Sequence, residues 1–183
     1  MKNIKQYKLQ QDDRPYSGKI KLFLTGFKKQ NIISVDDIVN AVDRLPDSHL
    51  QGLHELIYDP LRSSLENVDY SQWVMLSKSK GSFCQQQRAV TIYDFDDKQM
   101  FHQVLYHEIG HYVFYLIIDS VMKKHWVTKL FPNSKYITKY ASRNGSEDFA
   151  ESYAAYVLNP KELIKIPSKY YFIQNTIFKG FRP

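Results

Sequence analysis

Two histidines and a glutamate near the middle of the chain have the types and the spacing of a metal site. His107 and His111 are four residues apart in a segment of helical character, so both imidazoles lie on one face of that helix. Two nitrogens presented together can bind one metal ion such as zinc, and Glu108 beside them can reach a water bound to that ion. The pattern therefore predicts metal-assisted hydrolysis with Glu108 as the general base.

The helix that carries these residues is predicted to be buried, because apolar side chains occupy nearly its whole circumference. The apolar positions are Val104, Leu105, Ile109, Val113, Leu116, Ile117 and Ile118. Unpaired charge is costly in such surroundings, and a bound cation compensates for it. Gly110 costs a helix interior about 1 kcal/mol relative to alanine, so its presence predicts a close backbone approach by a neighbouring element.

A catalytic zinc site needs a third protein ligand and one open position. The candidates after the motif are Asp119, His125, Glu147, Asp148 and Glu151. His125 follows two lysines and precedes Trp126, which favours an ordinary surface or packing histidine. Glu147 and Glu151 are four residues apart in a second predicted helix, so they share one face. One of the two can bind the metal while the other hydrogen-bonds a ligating imidazole.

These two segments together resemble the gluzincin zinc metallopeptidases. The run His107-Glu108-Ile109-Gly110-His111 is followed by Glu147-Asp148-Phe149-Ala150-Glu151, and Tyr140 precedes Glu147 by seven residues. This arrangement is similar to the anthrax-lethal-factor-like group, which includes the Pro-Pro endopeptidases. The segment from Glu147 to Pro160 also resembles the ImmA/IrrE-type peptidases. The resemblance covers roughly residues 89–160, and we identify none for residues 1–88.

The resemblance implies a role for each matched residue. It implies that one zinc ion per chain is bound by His107, His111 and Glu147. Glu108 would activate the zinc-bound water for hydrolysis of a peptide bond. Glu151 would hydrogen-bond a ligating histidine, and Tyr140 would donate to the oxyanion of the transition state. The expected activity is that of a zinc-dependent endopeptidase.

Three other functions stay open on the sequence. An ImmA-like regulatory peptidase would cleave one specific repressor, and a secreted or injected effector would cleave a host protein as a toxin does. An inactive zinc-binding interaction module would keep the metal alone. The intact Glu108 argues against the last, because a purely structural site needs no general base.

The elements around the motif predict an α+β fold, and the resemblance implies a zincin-like metallopeptidase domain. Strands are predicted from Leu53 to Tyr58, Trp73 to Ser77 and Ala89 to Phe95. The segment from Lys19 to Phe27 is predicted to be a strand or a short buried segment. Helices are predicted from Ser34 to Leu45, from Asp96 through the motif, from Ser146 to Leu158 and near Ile173 to Phe178. Residues 119–144 are expected to form a long connection, with breaks at Pro132 and Gly145.

We expect a single domain over residues 1–183. Residues 1–15 would be a flexible lead-in, residues 16–96 would contain a small twisted sheet, and residues 97–183 would be mostly helical and carry the zinc ligands. The motif helix would begin with Asp96 and Gln99 as a capping box.

The strand from Ala89 to Phe95 is expected to be the edge strand that receives the substrate. It leads almost directly into the motif helix, so an edge there would lie near the zinc. An exposed edge offers free N–H and C=O groups to an extended peptide. The predicted substrate-binding residues are Val90, Thr91, Ile92 and Tyr93.

Composition limits the partners. The 183-residue chain has a net charge of +6 and 43% hydrophobic residues, which is typical of a folded domain with a core. Its basic residues are scattered and form no run interleaved with aromatics, so we expect no nucleic-acid partner. The single cysteine, Cys84, excludes an intramolecular disulfide.

The same sequence predicts a soluble protein that acts on a protein or peptide substrate. The N-terminal residues are polar and show no signal peptide, and the apolar run from Tyr112 to Ile118 is too short to cross a bilayer. We therefore expect no membrane partner, and a location that is cytoplasmic or reached by export without an N-terminal signal. The sequence leaves the oligomeric state open.

Overall fold

The computed structural model describes residues 22–61 and 79–183. Across these residues the fold is α+β, with a small sheet in the first part of the chain and helices through most of the second. The chain divides into two compact units. The first contains the described residues up to Asp43 and those between Gly52 and Leu105, and the second contains Arg44–Gln51 and Tyr106–Pro183.

The sheet of the first unit has four strands among the described residues. They are β1 (Phe23–Thr25), β2 (Glu55–Tyr58), β3 (Gly81–Cys84) and β4 (Ala89–Ile92). Their order is β1-β2-β4-β3, in which β2 is parallel to both β1 and β4 while β3 is antiparallel to β4. Leu56 pairs with Leu24 on one side and with Val90 on the other, so apolar side chains lie next to one another across the sheet.

Strand β4 is an interior strand, and our prediction that it is the substrate-binding edge is wrong. Its backbone pairs with β2 on one side and with β3 on the other. Val90, Thr91 and Ile92 are buried, and Tyr93 just beyond them donates its N–H to the carbonyl of Lys80. These residues therefore have no free edge for an extended substrate. The prediction failed because an apolar, β-branched segment suits an enclosed strand as well as an edge strand.

The helices of the described residues occupy both units. In chain order they are α1 (Val35–Asp43), α2 (Asp47–Leu50), α3 (Lys98–Tyr112), α4 (Ser120–His125), α5 (Phe131–Asn133), α6 (Gly145–Leu158), α7 (Pro160–Leu163) and α8 (Pro167–Phe172). Helical turns of π type follow α3, α4 and α8, at Val113–Ile117, Trp126–Leu130 and Ile173–Ile177. Short 3-10 turns cover Phe27–Lys29 and Ala141–Arg143.

Several predicted boundaries are close to those observed. Helix α1 begins after Ser34, whose hydroxyl accepts the N–H of Asp37 while the Asp37 carboxylate accepts the N–H of Ser34. Helix α3 begins later than predicted, because Asp97 and not Asp96 accepts the N–H of Met100. The predicted strand from Trp73 to Ser77 and the lead-in over residues 1–15 lie outside the described residues.

The predicted connection over residues 119–144 is wrong, because α4, a π-type turn and α5 occupy much of it. Asp119 caps α4 by accepting the N–H of Met122, and Trp126 is fully buried and anchors the segment. Pro132 falls in the first turn of α5, where a helix tolerates proline, and it does not mark a break there. No helix in the described part of the chain is long and apolar enough to cross a membrane.

Candidate metal centre

Helix α6 and the part of α3 that lies in the second unit carry the side chains of the candidate site, and they meet at Gly110. A Cβ atom added to Gly110 would lie 2.9 Å from the Cα atom of Ala150 and 3.2 Å from the Cβ atom of Tyr153. Any side chain at this position would therefore push the two helices apart. The close approach that Gly110 predicted is confirmed.

Three side chains bring one ligand atom each to the same place. His107, His111 and Glu147 offer ligand atoms that all lie within 4.8 Å of one another. The Nε2 atoms of the two histidines are 3.1 Å apart, and Oε2 of Glu147 is 3.2 Å from each of them. Ligand atoms at 2.0–2.1 Å from a tetrahedral ion are separated by about 3.3–3.4 Å. The three atoms therefore fit one face of a tetrahedral metal site.

Glu151 engages the other ring nitrogen of His107. Its Oε1 atom lies 2.7 Å from Nδ1 of His107. A carboxylate that accepts from Nδ1–H leaves the Nε2 lone pair for a metal and fixes the ring orientation. Nδ1 of His111 is buried without a hydrogen-bond partner among the described residues, so packing orients that ring.

The electrostatics of the cluster favour a positive charge at its centre. Burial alone would lower the pKa of His107, but hydrogen bonds to Glu147 and Glu151 outweigh burial and raise it to about 10. Burial would raise the pKa of Glu147, but hydrogen bonds to the two histidines lower it to about 2. Three glutamates face two imidazoles here, and a bound cation would compensate for that excess of negative charge.

Glu108 is the third glutamate and is almost fully buried, at 5% exposure. Burial raises its pKa, while the charges of His107 and His111 act in the opposite direction. A carboxylate with a raised pKa is a stronger proton acceptor than an exposed one. Glu108 is next to His107 in the chain but is not one of the grouped ligand residues.

Tyr140 lies beside the cluster, immediately before the 3-10 turn Ala141–Arg143. Its ring centre is 5.8 Å from that of His107, at 65° between the ring planes. The guanidinium carbon of Arg143 lies 4.1 Å from the centre of the tyrosine ring. Burial and the charge of Glu147 raise the pKa of Tyr140, so the phenol keeps its proton and can donate it in a hydrogen bond.

The other candidates for the third ligand have different partners. Asp119 caps α4, and the ring of His125 stacks on Phe172. Asp148 is buried and accepts a hydrogen bond from Lys169. Of the five candidates, Glu147 is the one that the structure groups with the two histidines.

Two residues near the cluster were missed in the sequence. Tyr115 stacks on His111 with ring centres 6.2 Å apart, and it is 42% exposed. Its position four residues after His111 was the signal that could have revealed it. Asn144 caps α6 by accepting the N–H groups of Ser146 and Glu147, and so fixes the turn that carries the third candidate ligand.

No family model and no curated protein matches the chain. A function for it therefore has to be inferred from the chemistry of its own residues. That chemistry consists of a donor set of two imidazoles and one carboxylate, a buried glutamate next to that set, and a protonated tyrosine beside it.

Proposed function

We propose that this chain is a zinc-dependent endopeptidase of the gluzincin type, with a zincin-like fold. The observation that carries the proposal is the convergence of the His107, His111 and Glu147 donor atoms, 3.1–3.2 Å apart, beside the buried Glu108. A set of three protein ligands is typical of catalytic zinc sites, whereas structural sites have four. Two nitrogens and one carboxylate oxygen also suit zinc better than the harder cations calcium and magnesium.

The metal and the protein would contribute different parts of the chemistry. His107, His111 and Glu147 would bind the ion. When bound, zinc lowers the pKa of a coordinated water towards about 7 and polarises the carbonyl of the scissile bond. Glu151 would keep Nδ1 of His107 in the protonated tautomer, which its position 2.7 Å away supports.

Glu108 would move the proton during hydrolysis. It would accept a proton from the attacking water as the water oxygen bonds to the carbonyl carbon. When the carbon–nitrogen bond breaks, the same proton would pass to the leaving amine. Burial of Glu108, which raises its pKa, supports both transfers.

Tyr140 would stabilise the oxyanion that forms on the carbonyl oxygen. Its ring lies against that of His107, one of the residues that would hold the ion, and burial raises the pKa of its phenol. A preorganised donor of this kind typically contributes about 3 kcal/mol to transition-state stabilisation.

The substrate class is narrower in two alternatives that use the same residues. An ImmA-like peptidase would cleave one repressor, and an effector protease would cleave a host protein. Both would need Glu108, whereas an inactive zinc-binding module would not.

The direct test is cleavage of a proteome-derived peptide library by the purified chain. We expect cleavage by the zinc-loaded protein, loss of cleavage on chelation and recovery on addition of zinc. The His107→Ala variant should be inactive, whereas His125→Ala should behave as the parent because His125 lies outside the donor set. Absence of cleavage by fully zinc-loaded protein would contradict the proposal.

A further inference from the structure

A buried ion pair involves Asp148, the residue that follows the candidate ligand Glu147. Nζ of Lys169, on α8, donates to Oδ1 of Asp148 at 2.6 Å, and both side chains are 0% exposed. Asp148 follows Glu147 in the first turn of α6. A buried pair of this kind contributes little net stability, because desolvation of both charges offsets their attraction. The role of the pair is therefore sought in the segments that it holds in place and not in its net stability.

The same ammonium group also holds a second segment of the chain. Nζ of Lys169 donates to the backbone carbonyl of Lys135 at 2.8 Å and lies 4.9 Å from the ring centre of Tyr136. Lys169 thus connects the first turn of α6 with the beginning of the segment formed by residues 135–140. Residues 135–138 of this segment belong to no helix or strand, so side-chain contacts help to fix their position.

The far end of residues 135–140 carries Tyr140. The hydroxyl of Thr138 accepts the N–H of Ala141 at 3.1 Å. The N–H of Arg143 donates to the carbonyl of Tyr140 at 3.1 Å. The segment is therefore held at Lys135 by Lys169 and at its other end by bonds next to the metal cluster.

We propose that Lys169 is a positioning residue that holds the segment ending at Tyr140 against the first turn of α6. Through these contacts it sets the place of the tyrosine relative to Glu147 and His107. The effect on catalysis rests on the proposed function, whereas the effect on the position of the segment does not.

Three variants separate this role from general stability. Lys169→Met keeps the length of the side chain and removes both hydrogen bonds. Lys169→Arg keeps the charge and the donors. Lys165→Met is the matched control, because Lys165 pairs with Glu162 on an exposed surface of the same unit.

Hydrogen exchange of the Ala141 and Arg143 amides reads the position of the segment without any activity. We expect these amides to exchange about 10-fold faster or more in Lys169→Met. Exchange in Lys165→Met should match the parent, and Lys169→Arg should restore much of the protection. Parental exchange rates in a folded Lys169→Met protein would overturn the proposal, whether or not the chain proves to be a peptidase.

If Lys169→Met does not fold, the double variant Asp148→Asn/Lys169→Met replaces it, since that variant leaves no unpaired buried charge. It still lacks the bond to the Lys135 carbonyl, so the same faster exchange is expected. Unchanged exchange in the double variant would likewise overturn the proposal.

Turnover tests the catalytic consequence. Lys169→Met should lower kcat by about 10- to 100-fold, no more than Tyr140→Phe does, with a small change in KM, since misplacement of a catalytic group by about 1 Å has an effect of up to this size. Adding Lys169→Met to a Tyr140→Phe variant should lower kcat little further, because both changes remove the same contribution. Fully additive losses, or an unchanged kcat for Lys169→Met, would show that Lys169 does not act through Tyr140.

Discussion

His107 has both ring nitrogens in use, and this distinguishes it from His111. Nδ1 of His107 faces Glu151, while Nε2 faces Glu147 and the other histidine. The ring therefore has a fixed orientation. The orientation of the His111 ring depends instead on packing, which includes its stacking against Tyr115.

The donor set predicts which substitutions remove the metal. Elemental analysis should find about one zinc per parental chain, and sharply less in His107→Ala and Glu147→Ala, because two remaining ligands bind zinc weakly. His125→Ala should retain the parental content, since its ring packs on Phe172. Parental zinc in both ligand variants would place the metal elsewhere.

The Tyr140 hydroxyl should matter for turnover more than for binding. We expect Tyr140→Phe to lower kcat by about 10- to 100-fold and to leave KM nearly unchanged, because the donor acts in the transition state. Steady-state kinetics on a confirmed peptide substrate measure both constants. An unchanged kcat would make Tyr140 a packing residue.

For single residues, the sequence predicts which side chains carry the donor atoms better than it predicts how the neighbouring helix packs around them. The spacing of His107 and His111 is sufficient to place them together on one helix. Glu147 and Glu151 share a helix face in the same way, and spacing alone does not say which one approaches both histidines. Whether Glu147 or Glu151 approaches both histidines depends on how α3 and α6 pack at Gly110. The pattern of side chains along one helix carries no information about this packing.

Among the elements, the pairing of α3 with α6 depends on the absence of a side chain at residue 110. Alanine there would improve helix propensity by about 1 kcal/mol, but its Cβ would lie 2.9 Å from the Ala150 backbone. We expect Gly110→Ala to lower the free energy of unfolding by about 1–3 kcal/mol through overpacking. Urea unfolding measures this, with Gln103→Ala on an exposed position of α3 as the control. Equal or greater stability of Gly110→Ala would contradict the close approach.

In the sheet, the pattern of residues along a strand predicts the strand itself but not all of its partners. Residues 89–92 and their parallel neighbour Glu55–Tyr58 both lie within predicted strands, but no strand is predicted for their antiparallel neighbour. The antiparallel partner Gly81–Cys84 begins inside a cluster of lysine, serine and glycine that indicates a turn. Strand pairing is a long-range property, and local composition carries little information about it.

Across the second unit, a buried histidine joins three elements. Nε2 of His49, in α2, lies 3.0 Å from the carbonyl of Ile177, and Nδ1 lies 2.9 Å from the hydroxyl of Tyr153 on α6. A carbonyl only accepts, so Nε2–H donates and the neutral Nδ1 accepts from the tyrosine. Burial lowers the pKa of His49 to about 4.

The low pKa of His49 makes stability depend on pH. Between pH 6.5, the ordinary value, and pH 4 the unfolded state binds a proton that the folded state does not. The contribution of neutral His49 is therefore complete above pH 6.5 and is lost as pH falls towards 4.

We expect the parent to lose about 2 kcal/mol more than His49→Gln between pH 7.5 and pH 5, because glutamine makes similar bonds without titrating. Urea unfolding of both proteins at the two pH values isolates this difference from other titrating groups. Equal losses in the two proteins would show that His49 does not titrate in this range.

At the scale of the whole molecule, the described residues divide into two compact units, and the composition of the sequence does not indicate this division. One boundary between the two compact units falls inside α3, between Leu105 and Tyr106, whereas the sequence places the change from sheet to helices near residue 97. The single domain over residues 1–183 stays a prediction. The short segment Arg44–Gln51 belongs to the second unit although it precedes β2 in the chain. Its anchor is His49, and nothing in the local sequence marks a histidine as buried.

The central claim is that Glu108 acts as the general base for peptide hydrolysis at a zinc site and does not bind the metal. The most direct measurement is the cleavage rate of one library-derived peptide by parent and Glu108→Gln at equal, verified zinc content, with Glu162→Gln on an exposed ion pair as the control. The account predicts a loss of about 100- to 10,000-fold in Glu108→Gln and a parental rate in the control. A near-parental rate in zinc-loaded Glu108→Gln would contradict it.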